Sequence, residues 1–105
     1  MEARDVDQPE RALLSIRIDC VTRTDRVSRH HRIRAVGGRG RDGEGWRLSE
    51  EAAIAAIENE RATFYIERDG GRLQVVVAEG LGKRYLKTES DRESPDLLLA
   101  LSSCD

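Results

Sequence analysis

Gly38, Gly40 and Gly43 reproduce the G-x-G-x-x-G spacing with which a loop can cradle a pyrophosphate. That chemistry needs a helix to open at the third glycine, so that its free amides point at the anion. Here the helix signal begins about six residues later, and it opens on Glu50 and Glu51, which would repel a phosphate. The sequence predicts a loop at this point and no cofactor. His30 and His31 suggest metal or acid–base chemistry, but strand neighbours face opposite sides and neither a cysteine nor a further histidine lies near at ligand spacing. No metal is expected, and His31 falls in an apolar phase that predicts a partly buried, hydrogen-bonded side chain.

Cys20 sits in the apolar phase of a predicted strand, where a thiol packs as a small hydrophobe. Cys104 could approach it if the tail folds back, yet two cysteines do not make a disulfide framework, so reduced thiols are expected. Glu50, Glu51, Glu58 and Glu60 occupy capping and surface positions of a helix, where carboxylates are rarely desolvated enough for proton transfer. No nucleophile–base pair with an orienting third group is recognisable, so catalysis is not expected.

The arginines are the strongest electrostatic feature. Arg23 to Arg41 holds arginines 23, 26, 29, 32, 34, 39 and 41 against Asp25 alone. If the first two strands pair, outward Arg32 and Arg34 stand beside Arg17 and form a face suited to phosphates. A net charge of −2, four aromatic residues and no nucleic-acid motif favour a solvated face instead. Trp46 and Tyr85 are large residues beside glycine-rich loops, and such aromatics seal the end of a core or form a contact surface. With Lys87 beside Tyr85, the candidate interaction residues are Arg17, Arg32, Arg34, Trp46, Tyr85 and Lys87.

These groups must be positioned by few elements. Residues 1–11 are polar and aperiodic, which predicts a flexible arm ahead of a single domain over 12–105. Leu14, Ile16, Ile18 and Cys20 alternate with polar residues and predict one strand. His31, Ile33 and Ala35 predict a second, with Arg32, Arg34 and Val36 outward. Ser49 is suited to cap a helix carrying Ala53, Ile54 and Ile57. Ala62, Phe64 and Ile66, then Leu73, Val75 and Val77, flank Asp69-Gly70-Gly71 and predict a hairpin. Lys83 to Thr88 predicts a last short strand, and Leu97, Leu98, Leu99 and Leu101 form a second apolar cluster. The order β-β-α-β-β-β implies an α+β fold, a small and mostly antiparallel sheet with one short helix packed on one face. The expected core is Leu14, Ile16, Ile18, Ile33, Ile54, Ile57, Phe64, Ile66, Leu73, Val75 and Val77.

At 38% apolar and 36% charged residues, with the apolar ones in periodic blocks, the chain is expected to fold. It has no run long enough to span a membrane and opens without a signal-peptide pattern, so a cytoplasmic location with no membrane partner is expected.

Several short signatures occur in a fixed order: Gly37-Gly38, Trp46-Arg47-Leu48-Ser49 opening the helix, Ile54 and Ile57 within it, and Phe64-Tyr65-Ile66 after it. Tyr85-Leu86-Lys87-Thr88 with Asp91 and a leucine cluster ending near a cysteine complete the series. Together they resemble the bacterial family called domain of unknown function 3892, over about Ile16 to Cys104. The resemblance supports an α+β fold and brings no activity with it. The expected function is non-catalytic binding of a protein partner or a second copy of the chain. The alternative is an anion or nucleic-acid binder using the arginine face.

Overall fold

The computed structural model describes residues 14–24, 32–40, 43–80, 82–92 and 95–104. Local chemistry sets its most regular parts. Asp69 and Gly70 both adopt positive φ, 54° and 82°, the signature of a two-residue type I′ turn. Through that turn β5 (Ala62–Arg68) runs antiparallel to β6 (Gly71–Gly80), with Phe64 opposite Val75 and Glu67 opposite Arg72. The predicted hairpin is present at the predicted turn. Helix α1 (Glu50–Glu58) opens on Ser49, whose hydroxyl accepts from the Ala52 amide at 3.0 Å, and ends on Asn59 and Glu60, the latter at φ 58°.

The remaining elements are β1 (Leu14–Arg17), β2 (Cys20–Arg23), β3 (Ile33–Arg39), β4 (Gly45–Ser49), β7 (Lys83–Thr88), α2 (Asp96–Leu99) and β8 (Ser102–Ser103). They form two four-stranded sheets, ordered β1-β5-β6-β7 and β4-β3-β2-β8. Each is mixed, because β1 runs parallel to β5 and β2 runs parallel to β8. The fold is α+β as expected, but the single mostly antiparallel sheet and the order β-β-α-β-β-β are corrected. The observed order is β-β-β-β-α-β-β-β-α-β.

The source of that correction is the predicted first strand, which is two strands in different sheets. The Ile18 amide donates to Tyr65 in the first sheet at 2.8 Å, and the next amide, Asp19, donates to Gly37 in the second at 2.8 Å. A strand that changes sheets makes a corner of the kind found where two sheets wrap one core. The alternation slips there, so that Ile18 and Val21, three residues apart, are both fully buried. A second slip follows in β3. Thr22 is opposite Ala35 while Arg23 is opposite Ile33, which leaves Arg34 as an extra, bulged residue. Val36, expected outward, is therefore 0% exposed and packs in the core with Ile33.

The core lies between the inner faces of the two sheets and is closed by α1 and α2. It comprises Ile18, Val21, Ile33, Val36, Ala53, Ile54, Ala62, Phe64, Ile66, Val75, Leu86 and Leu98. Ile16, Ile57, Leu73 and Val77 pack against it half-buried. Leu14, expected inside, is 61% exposed because it is the first residue of an outermost strand. Leu98 from the tail cluster is fully buried, and Leu97, Leu99 and Leu101 pack around it. No helix among the described residues is long and apolar enough to cross a membrane.

Candidate functional site

The Gly37-Gly38 pair lies at a concavity among the described residues. A Cβ at Gly37 would stand 2.7 Å from the Trp46 carbonyl and 3.2 Å from both cysteine sulfurs. One at Gly38 would stand 2.8 Å from the Arg17 carbonyl and 3.2 Å from Trp46 Nε1. Only glycine lets β3 lie this close to β4 and the β1–β2 corner. The same lack of side chains leaves an open groove of about 640 Å³, lined by Asp19, Cys20, Gly38, Arg39, Gly45, Trp46, Arg47 and Cys104.

Its rim is polar and held in place. Asp19 takes the Arg17 guanidinium at 2.9 Å on one oxygen and the Arg39 amide at 3.3 Å on the other. The Arg39 guanidinium donates to the Gly43 carbonyl at 2.8 Å. The half-buried Trp46 ring packs on Phe64 with centroids 6.0 Å apart, which anchors it to the core. Its Nε1–H is buried and has no hydrogen-bond partner. An unmade bond of this kind costs about 1–3 kcal/mol, unusual for a tryptophan that otherwise seals a core.

The two cysteines meet at this groove. Cys20 and Cys104 are joined by a disulfide, with Cα atoms 4.9 Å apart, across a sequence separation of 84. The expectation of two reduced thiols is corrected. The tail returns as β8 alongside β2, with Ser102 beside Cys20, and carries Cys104 over Gly37.

The predicted interaction residues do not assemble into one face. Arg17 lies in the first sheet and is paired with Asp19 and with Glu67 at 3.4 Å. Arg34 lies in the second sheet at the bulge, and Arg32 just before it, both exposed. Arg23, at the start of the basic run, donates to the Leu99 and Leu101 carbonyls and satisfies the end of α2. Arg26, Arg29, His30, His31 and Arg41 lie outside the described residues, as does the predicted arm over 1–11. Tyr85 is 3% exposed, and Lys87 Nζ donates to the Asp91 carbonyl at 2.9 Å. Trp46 alone of the six lines the groove.

Two polar joints were not foreseen in the sequence. The Asp91 carboxylate accepts the Thr88 amide at 3.0 Å, the Thr88 hydroxyl at 3.1 Å and the Leu97 amide at 3.3 Å, so it fastens α2 to β7. Glu50, expected on the surface, is 5% exposed, and its carboxylate accepts the Leu86 amide at 3.1 Å. Burial pushes its pKa up from 4.5 to about 6, against the opposing pull of that hydrogen bond and of Lys83. It covers the outer edge of β7, the last strand of the first sheet.

Fold and groove together define a small two-sheet α+β domain in which Gly38, Trp46, Arg47 and Cys104 line one groove and Thr88 and Asp91 make one polar joint. The family model described as protein of unknown function (DUF3892) matches residues 17–102, and the chain belongs to that family. No curated protein and no solved structure matches it.

Proposed function

We propose that this domain is a non-catalytic binding module whose groove receives a protein partner. The partner would present a hydrogen-bond acceptor, a main-chain carbonyl or a carboxylate, to the Trp46 indole. The observation that carries this reading is the unpartnered Trp46 Nε1–H, buried just behind the wall of an open groove that Arg39 and Arg47 also line, where a small turn of the half-buried indole would present it to an acceptor. A donor left unsatisfied in a folded core calls for a reason, and an incoming acceptor supplies one. Two nearby guanidinium groups favour an acidic partner segment and add to its on-rate. A cytoplasmic setting, expected from the sequence, remains part of the proposal and is checked by cell fractionation.

The arginine-face alternative has less support, because Arg17 and Arg23 are engaged within the chain. The two readings separate by variant. Native mass spectrometry of the purified protein with its co-purifying partners should lose a groove-bound partner in Trp46→Phe and Arg47→Glu and keep it in Arg32→Ala/Arg34→Ala. Loss only in the second variant would move the interface from the groove to Arg32 and Arg34.

A further inference from the structure

We propose that the Cys20–Cys104 bridge is a thiol–disulfide exchange site, reached by dithiols through the groove, whose reduction releases β8 from β2. Both cysteines are half-buried and both line the open groove, so the bridge sits at a surface instead of inside the core. What it fastens is short. β8 is two residues long and pairs with β2 at two positions, and beyond it the Cys104 amide donates a hydrogen bond to the Val21 carbonyl at 3.0 Å. Tail residues before it are held independently, by the buried Leu98, by Arg23 and by the Asp91 joint. Reduction therefore frees the last strand without undocking α2.

The electrostatics favour exchange. Arg39 and Arg47 line the same groove and outnumber its described carboxylate, Asp19, and a positive surround favours a thiolate. Among the described residues Asp19 is the carboxylate that lines the groove, and it is engaged by Arg17 and by the Arg39 amide. In the forward step a dithiol's thiolate attacks Cys104 Sγ, the Sγ–Sγ bond breaks, and Cys20 leaves as a thiolate that takes up a proton. The second thiol of the dithiol then attacks the mixed disulfide, Cys104 leaves as the second thiolate and is protonated, and the dithiol is released as a disulfide. Two electrons and two protons pass to the protein, and an oxidised dithiol reverses the sequence. In a reducing compartment such a bond is transient and redox-sensing, which fits a bridge of this placement. The inference stands whether or not the groove binds a partner.

The test uses the full chain with dithiothreitol and no denaturant, read by alkylation mass and by amide exchange. Expected are two alkylated cysteines in a folded protein, with exchange at the Cys104 amide raised about tenfold or more while the β5–β6 hairpin is unchanged. Cys104→Ser and Cys20→Ser, each left with one alkylatable cysteine, should show the raised exchange at the position-104 amide in both reducing and oxidising buffer. Resistance to the dithiol until denaturant is added would overturn the proposal. So would reduction that leaves Cys104 exchange unchanged or that unfolds the hairpin with the tail, or two free thiols after oxidised dithiothreitol.

Discussion

The Glu50 carboxylate, in the first turn of α1, accepts the main-chain N–H of Leu86 in β7 at 3.1 Å while only 5% exposed. A helix and the outermost strand of a sheet are thus joined through one buried acid. Burial holds its folded pKa at about 6, above the ordinary 4.5. Between those values the folded chain keeps a proton that the unfolded chain has lost. Stability from this group is therefore full below about pH 4.5 and falls as pH rises to about 6 and beyond, by about 2 kcal/mol. Glu50→Gln keeps an acceptor for Leu86 and should flatten that part of the stability–pH curve in urea unfolding. A slope unchanged in the variant would assign it to other groups.

Gly37→Ala and Gly38→Ala should each cost about 1–3 kcal/mol, because the new methyl meets main-chain oxygens at 2.7 and 2.8 Å that cannot swing aside. Gly45→Ala, whose nearest neighbour would be the Gly38 carbonyl at 3.9 Å, should stay within about 0.5 kcal/mol of the parent. Denaturant midpoints of the three variants decide this. Equal effects at all three positions would contradict the close approach at the glycine pair.

Asp91→Ala leaves the Thr88 and Leu97 amides without their acceptor and should destabilise by about 1–3 kcal/mol. Leu98→Ala, opening a cavity at a fully buried site, should cost about 2–5 kcal/mol. In Asp91→Ala the Leu97 amide should exchange faster than amides in β6. Uniform loss of protection would mean that Asp91 supports the whole fold and not the α2 joint.

Duplex DNA tests the arginine face. Of the arginines offered for that face, Arg32 and Arg34 are the exposed ones that remain uncommitted among the described residues. Log affinity for a duplex should then fall by no more than about two per decade of salt. A slope of about −4 to −5, reduced by nearly two in Arg32→Ala/Arg34→Ala, would restore the phosphate-binding reading.

What could be read from the sequence was whatever depends on local chemistry. The Asp69-Gly70 turn, the Ser49 cap and the alternation from Ala62 to Val77 each rest on residues that determine their own conformation. The misreadings come from non-local events. A period of two assumes one sheet and a regular ladder, and the chain changes sheets between Ile18 and Asp19 and bulges at Arg34. Those two slips hid Val21 and Val36 from the core and separated Arg17 from Arg34. Trp46 was legible as a large residue that either seals the end of a core or forms a contact surface, and it packs on Phe64 while lining the groove, whereas the lack of a partner for its Nε1–H depends on packing. The disulfide was illegible because nothing local places Cys104 next to a residue 84 positions earlier. By its position Glu50 is a helix-end acid, and its burial follows from β7, which lies some 35 residues further along and which no local pattern brings near.

Trp46 is the only tryptophan in the chain, so its indole gives a single, unambiguous ¹⁵N–¹H resonance. Titration with a short blocked peptide carrying glutamate, set against the same peptide with lysine, tests the groove most directly. The indole resonance should shift saturably with the acidic peptide, and the shift should vanish in Arg39→Glu/Arg47→Glu. An indole signal that stays fixed while amides at Arg32 and Arg34 move, or that responds equally to both peptides, would contradict a binding site at Trp46.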